Sequence, residues 1–263
     1  MTIIFRDKRI TGGDAERDVL FEDFARDMET GQYRNEFQDL LLLALVEAVN
    51  NAVEHGNGND PRKQVHIRYL VRPELVLASV GDQGAGFEPR FPDLRRVTGA
   101  RGRGLGLIRA NVDHVFFNLS GNHIFFCKGD QSMTEHLVQE QWRISTYPNG
   151  VVLVTDLDFG PAKLSIVKGI AEILDKVGAV PDRTVFLDLK GVRILSSLTW
   201  GSIFAEVQKD AVRQVILFNA GEAILQTANQ MGLTTREEET YKKIVLLPDA
   251  SQAMHLLAEK LTE

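Results

Sequence analysis

The spacing of apolar residues along the first half of the chain shifts from a helical period to strict alternation and back. Apolar residues three and four positions apart predict helices over 15–30, 36–55 and 105–112. Alternating runs predict strands over 64–71, 74–81, 114–119 and 123–128, the last two joined by the hairpin signal Ser-Gly-Asn. Helices separated in this way from an antiparallel type of sheet predict an α/β sandwich.

From residue 142 onwards, short apolar runs alternate with amphipathic stretches. The short runs predict strands over 142–146, 151–155, 184–188, 214–218 and 242–247. The amphipathic stretches predict helices over 163–177, 198–209, 222–231 and 250–261. Regular alternation of strands and helices indicates a largely parallel sheet with crossover helices.

The two patterns meet at a polar stretch, 129–141, which we interpret as containing a linker. We therefore expect an α/β protein of two domains. Residues 1–131 would form the α/β sandwich, 132–141 the linker, and 142–263 a smaller α/β domain. A length of 263 residues suits two domains of ordinary size.

Charge and composition argue against several functions. The net charge is −6 and the basic residues are scattered, whereas a nucleic-acid partner favours a clustered basic face. The longest apolar run, 40–46, is far shorter than the roughly 20 residues that cross a bilayer, and the first residues lack the apolar core of a secretory signal. The single cysteine, Cys127, lies in a strand-like run, which indicates a core thiol in a reducing compartment. We expect a cytoplasmic protein that binds neither nucleic acid nor membrane.

The helix predicted over 36–55 carries its polar residues on one side. These are Glu47, Asn50, Asn51, Glu54 and His55. An amphipathic surface helix would explain them, but the run 40–43 predicts a helix that starts buried nearly all round, and buried polar groups need partners. The amide oxygen of Asn51 suits Mg²⁺, which takes few protein ligands, and Glu47, one turn earlier, suits a general base.

Two glycine-rich segments follow. In the first, Asp82, Gly84 and Gly86 come directly after a strand, so the backbone can approach a ligand closely and the Asp82 carboxylate can accept a hydrogen bond from the amino group of adenine. An ordinary turn with a capping aspartate is the alternative.

The second segment, 99–109, reads GARGRGLGLIR and precedes a helix. Free N–H groups at a helix N-terminus make a phosphate cradle, to which Arg101 and Arg103 would add charge. Solvated arginines are the alternative. The segment is neither a Walker loop nor a dinucleotide fingerprint.

Together, Glu47-x-x-x-Asn51, Asp82-x-Gly84-x-Gly86 and Gly102-x-Gly104-x-Gly106 resemble the N, G1 and G2 boxes of the GHKL ATP-binding superfamily. The sequence of residues 47–56 and the run GRGLGLIRANVD over 102–113 are similar to the corresponding segments of the anti-sigma-factor serine kinases. The resemblance implies that Asn51 holds Mg²⁺, that Asp82 binds the adenine of ATP, and that Glu47 deprotonates a serine of the protein substrate. It places the following residues around the nucleotide: His55, Gly84, Gly86, Arg101, Gly102, Arg103, Gly104, Leu105 and Gly106.

The segment VFLDLKGVRILSSLTWGSIF in the second half resembles the STAS domain of anti-sigma-factor antagonists. The resemblance implies a phospho-accepting serine at the start of a helix, with Ser197 in that place and Ser196 before it. Leu195 and Leu198 stand where the family has Asp and Gly. A helix cap is the alternative role of both serines.

The leading hypothesis is an ATP-dependent serine protein kinase of the partner-switching class, fused to a substrate-like domain. The resemblance implies a protein partner, either a sigma factor, a STAS-domain protein or another regulator, and a homodimer. A non-catalytic nucleotide-binding switch, whose STAS domain sequesters a partner, is the second hypothesis, and a plain ATPase is the third. Fewer residues precede the N box than the dimerisation hairpin of a sensor histidine kinase needs, so we do not expect one.

Overall fold

The computed structural model describes residues 2–33, 38–89, 103–129, 135–139, 141–159, 163–233 and 242–262. The chain divides into two compact units, Met1–Met133 and Thr134–Glu263. Each unit has its own sheet and its own hydrophobic core, as expected for separate α/β domains.

The first unit is an α/β sandwich. Within its described residues the helices are α1 (Asp14–Thr30), α2 (Gln38–Asn51) and α3 (Gly104–Asn111). The strands are β1 (Ile4–Ile10), β2 (Val65–Arg72), β3 (Leu75–Gly81), β4 (His114–Phe117) and β5 (His123–Gly129). They form a sheet of order β1-β2-β3-β5-β4 in which every neighbouring pair is antiparallel.

Helix α2 lies at the centre of this unit's core. Leu41, Leu45 and Val49 are completely buried, on the spacing that the sequence predicts for its apolar side. Their burial fixes which side of α2 carries the polar residues. The prediction that the helix starts buried nearly all round is wrong, because Leu40 is 37% exposed and Leu42 and Leu43 are only partly buried.

A partly buried ion pair ties α1 to the sheet. Asp27 accepts two hydrogen bonds from the Arg6 guanidinium, at 2.7 and 2.8 Å, and one from the Tyr69 hydroxyl at 2.9 Å. Burial acts to raise the pKa of Asp27, but these three donors hold it below its ordinary value. The network joins α1 to β1 and β2.

Three features of the first unit and its boundary differ from the sequence prediction. The pattern predicts no element before residue 15, yet β1 pairs along its whole length with β2; its burial alternates too weakly for the pattern to register as a strand. The α-helical part of the predicted helix ends at Asn51, and the helix continues to Gly56 as a π-helical turn. The stretch interpreted as a linker contains β6 (Glu135–Val138), because an edge strand exposed to solvent can be polar and still pair its backbone.

The second unit contains a six-stranded sheet among its described residues. Its further strands are β7 (Arg143–Thr146), β8 (Val151–Thr155), β9 (Arg183–Asp188), β10 (Val212–Phe218) and β11 (Ile244–Leu247). Its helices are α4 (Lys163–Val177), α5 (Ser197–Val207), α6 (Glu222–Gln230) and α7 (Ala250–Thr262). The order is β11-β10-β9-β8-β7-β6, parallel from β8 to β11 and antiparallel from β6 to β8.

Helix α5 is anchored to this sheet at two places. Trp200 is completely buried in the core of the second unit. Near the helix C-terminus, Glu206 is 3% exposed and forms an ion pair with Arg183, which is itself 1% exposed. These contacts fix the position of the helix whose first turn carries Ser197.

Candidate functional site

The end of α2 widens into a π-helical turn, Ala52–Gly56. The Asn57 N–H donates to the Ala52 carbonyl at 2.7 Å, five residues back instead of four. Such widened turns occur often at functional sites. Here the turn places Gly56 next to the loop that follows β3.

Asp82 lies against Gly56. A Cβ atom on Gly56 would lie 2.2 Å from Cγ of Asp82, and one on Gly84 would lie 2.2 Å from the Gly56 carbonyl oxygen. Neither position therefore accepts a side chain without movement of the loop. The Gly84 N–H donates to Oδ1 of Asp82 at 2.7 Å and holds the carboxylate over Gly56.

The β4–β5 hairpin supports the same loop from the other side. The Asp82 N–H donates to the Asn122 carbonyl at 2.9 Å. Gly86 has a φ of +80°, and a Cβ there would lie 2.0 Å from the Ser120 carbonyl oxygen. The loop is thus enclosed between the π-helical turn and the hairpin, which explains why glycine is needed at Gly84 and Gly86.

The environment of Asp82 changes its titration. Partial burial raises the pKa of the Asp82 carboxyl above its ordinary value, while the hydrogen bond from the Gly84 N–H and the charge of Lys63 act in the opposite direction. A carboxylate that is half shielded from water makes stronger hydrogen bonds than an exposed one.

Glu47 and Asn51 meet the start of α3. A Cβ on Gly104 would lie 2.8 Å from Oε2 of Glu47 and 3.1 Å from Nδ2 of Asn51. Gly104 thus brings the backbone at the helix N-terminus directly onto both polar groups. One turn separates Glu47 from Asn51, so they lie on the same side of α2.

Glu47 and Asn51 differ from Asn50 in what they bind. Asn50 accepts a hydrogen bond from the Arg17 guanidinium at 2.8 Å and so links α2 to α1. Within the described residues, the Glu47 and Asn51 side chains make no hydrogen bond or ion pair. Asn50 therefore has a structural role, while the oxygen atoms of Glu47 and Asn51 remain available to a ligand.

The remaining predicted residues are placed as follows. Arg101 and Gly102 lie outside the described residues. Arg103 is exposed and directly precedes α3, Leu105 is half-buried in its first turn, and Gly106 is buried. His55 lies exposed in the π-helical turn.

The close approach of Gly84 to the Gly56 carbonyl predicts that a larger residue at position 84 destabilises the protein. We expect Gly84→Ala to lower the free energy of unfolding by about 1–3 kcal/mol, because the new methyl group meets a backbone oxygen and not a flexible side chain. Gly13→Ala is the matched control, since a Cβ there meets no atom within 4 Å. Scanning calorimetry measures both variants, and equal melting temperatures would contradict the prediction.

In the second unit, the two candidate serines have different surroundings. Ser196 is the N-cap of α5, and its Oγ accepts a hydrogen bond from the Thr199 N–H at 3.2 Å. Ser197 is the first residue of the helix and is exposed, and Leu198 beside it is 69% exposed. The capping role therefore applies to Ser196, while the Ser197 hydroxyl is accessible.

A buried carboxyl that the sequence analysis missed lies at the end of β9. Asp188 is buried and accepts hydrogen bonds from Nδ2 of Asn219 at 2.8 Å and from the Lys190 N–H at 3.0 Å. Burial raises the pKa of Asp188 to about 7, with these donors opposing the rise and the nearby Asp156 adding to it. A single aspartate at the end of an apolar strand gives no signal of its burial in the sequence.

Because the pKa of folded Asp188 is raised, the stability of the second unit should depend on pH. Between an unfolded pKa of about 3.9 and the folded value of about 7, the folded state keeps a proton that the unfolded state loses. Stability should therefore fall as pH rises through this range, by up to about 1.4 kcal/mol per pH unit, and then level off. Asp188→Asn should remove this component.

Tryptophan fluorescence reports selectively on the unfolding of the second unit. The two tryptophans of the chain, Trp142 and Trp200, both lie buried in the second unit. Urea titrations of wild type and Asp188→Asn between pH 4.5 and 8 give the difference in free energy. A difference that does not vary with pH would refute the role of Asp188.

The first unit is thus an α/β sandwich in which polar residues of α2 and its π-helical turn meet two glycine-bearing segments. Residues 21–128 match the family model described as the histidine kinase-like ATPase domain. The matched segment contains Glu47, Asn51, Asp82 and Gly104, and this GHKL-type match confirms the predicted ATP-binding class for that part of the chain. No curated protein matches the chain. Among the described helices, none combines the length and apolar character needed to span a bilayer.

Proposed function

We propose that this protein is an ATP-dependent serine protein kinase of the partner-switching class, with a substrate-like STAS domain as its second unit. The observation that carries the proposal is the meeting of Glu47, Asn51 and Gly104, with both side chains uncommitted among the described residues. The N-terminus of α3 favours the negative charge of Glu47, and both side chains stay open to a ligand because neither makes a hydrogen bond among the described residues.

ATP would bind across the two glycine-bearing segments. Asp82 would accept a hydrogen bond from the exocyclic amino group of adenine, since its carboxylate is fixed by the Gly84 N–H. The phosphates would lie near the start of α3, where Gly104 leaves room and the free N–H groups favour negative charge. Arg103 would add positive charge.

The residues present fit a magnesium ion. Asn51 would hold Mg²⁺ through its amide oxygen, at a place where the absence of a Cβ on Gly104 leaves space. When bound, Mg²⁺ neutralises charge on the phosphate oxygens. Asn51 thus orients the end of the nucleotide that reacts.

Glu47 would act as the general base. As the serine oxygen forms its bond to the γ-phosphorus, the bond from phosphorus to the β–γ bridging oxygen breaks and ADP leaves. Glu47 takes the proton of the serine hydroxyl. Positioning and electrostatics supply most of the catalysis in phosphoryl transfer, so one well-placed carboxylate suffices.

Ser197 is the proposed phosphate acceptor, in this chain or in a STAS-domain protein of the same kind. A phosphate there would be favoured by the N-terminus of α5. It would also place up to two negative charges beside the exposed Leu198 and Ile194, which would change the affinity of that surface for a protein partner. A sigma factor, another STAS-domain protein or another regulator fits this role, and a homodimer fits the resemblance.

A non-catalytic switch is the second candidate. Leu195 and Leu198 stand where the resembled family has an aspartate and a glycine. Leu195 is 1% exposed and Leu198 is 69% exposed. This departure favours a second unit that binds its partner without being phosphorylated. In that case nucleotide binding to the first unit would by itself change the affinity of the second unit for its partner.

Removal of the Glu47 carboxylate should separate catalysis from binding. We expect Glu47→Gln to lower the rate of serine phosphorylation at least about 100-fold, while ADP affinity stays within about threefold. Glu54→Gln is the control, because Glu54 is an exposed carboxylate in the adjoining turn. Incorporation of labelled phosphate from ATP, mapped by mass spectrometry, measures the rate.

The position of the label decides between the hypotheses. Ser197→Ala should abolish the label and Ser196→Ala should retain it, since Ser196 is occupied as the helix cap. ATP binding without labelled protein would support the non-catalytic switch, and phosphate release without labelled protein would support a plain ATPase. A supplied STAS-domain protein tests transfer to a separate molecule.

A further inference from the structure

Asn57 contacts the Asp82 loop from a position that the sequence motifs do not include. It follows the π-helical turn and is 5% exposed. Its Oδ1 accepts a hydrogen bond from the Gln83 N–H at 2.9 Å. Because the partner is an N–H donor, the oxygen of the amide must face Gln83, and the orientation of the side chain is fixed.

The other end of this amide is unusual. Nδ2 of Asn57 is buried and has no hydrogen-bond partner in the part of the chain that the structure describes. A buried donor without a partner costs about 1–3 kcal/mol. Within the described residues, the side-chain amide of Asn57 is therefore satisfied at its oxygen and unsatisfied at its nitrogen.

The hydrogen bond from the Gln83 N–H to Asn57 fixes the orientation of the Gln83 peptide. Gln83 directly follows Asp82 and directly precedes Gly84, whose N–H binds the Asp82 carboxylate. Holding the Gln83 peptide therefore holds both ends of the short turn that aims this carboxylate. Asn122 supports the same turn from the hairpin, with longer contacts of 3.4 Å to the carbonyls of Asp82 and Gly84.

We propose that Asn57 is a positioning residue that sets base selectivity, because its hold on the Gln83 peptide aims the Asp82 carboxylate at an exocyclic amino group of the nucleotide's base. This inference rests on the proposed nucleotide site. A fixed carboxylate accepts a hydrogen bond from the 6-amino group of adenine and repels the 6-oxo group of hypoxanthine. A site built in this way rejects the analogue more strongly than a mobile carboxylate would.

The ratio of two affinities tests the inference in the full chain. Titration calorimetry with ADP and with inosine diphosphate should show that wild type prefers ADP. In Asn57→Ala we expect ADP affinity to fall about 10-fold and inosine diphosphate affinity to change little, so that the preference shrinks. A merely structural loss would weaken both nucleotides together and leave the ratio unchanged.

Two further variants complete the design. Asn50→Ala removes the hydrogen bond between α2 and Arg17 without touching the Asp82 loop. It should keep the wild-type ratio of ADP affinity to inosine diphosphate affinity. Asn57→Asp keeps an oxygen for the Gln83 N–H. At pH 8 it should retain most of the preference for ADP that Asn57→Ala loses, as a rescue by a conservative change.

The outcomes separate this inference from the proposed function. Failure of wild type to bind either nucleotide would refute the nucleotide site itself. Binding with a full preference for ADP in Asn57→Ala would overturn the role of Asn57 and leave the nucleotide site standing. If Asn57→Ala does not fold, Asn57→Ser gives the same comparison, because its hydroxyl is too short to reach the Gln83 N–H.

Discussion

The contact between the backbones at Gly56 and Gly84 is the constraint on which the site of the first unit depends. No side chain fits at either position, because a Cβ would lie 2.2 Å from Asp82 or from the Gly56 carbonyl. The π-helical turn makes the contact possible by turning the end of α2 towards β3. From this contact follow the direction of Asp82 and the position of Asn57, and the same helix carries Glu47 and Asn51 to Gly104.

Much of this arrangement follows from local patterns in the sequence. The apolar spacing of α2 predicts its buried side, and with it the side on which Glu47 and Asn51 lie. A strand followed by Asp82-x-Gly84-x-Gly86 predicts a tight loop. The alternation of strands and helices after residue 142 predicts a parallel sheet, which β8 to β11 form. These features depend on residues near one another in the chain.

Features that depend on distant contacts were missed. Strand β1 is defined by its pairing with β2, about sixty positions away, and not by its own pattern. The π-helical turn is seen in the hydrogen bond from the Asn57 N–H to the Ala52 carbonyl, which no pattern in the sequence marks. Asn57 looks like a loop residue in the sequence, and only its hydrogen bond to Gln83 reveals its position. The burial of Asp188 likewise depends on the strands around it.

The acidic residues of the protein differ in what neutralises them, and this difference supports the proposed role of Glu47. Asp27 is matched by Arg6 and Tyr69, Asp113 by Lys128, and Glu206 by Arg183. The Asp27 and Glu206 pairs each join a helix to a strand, and the Asp113 pair joins the bend before β4 to β5. Glu47 lies beside a helix N-terminus with no such partner among the described residues, although arginine and lysine residues are frequent in the chain. In the proposed function, an acid left unmatched beside the start of α3 is suited to take the proton of the substrate serine.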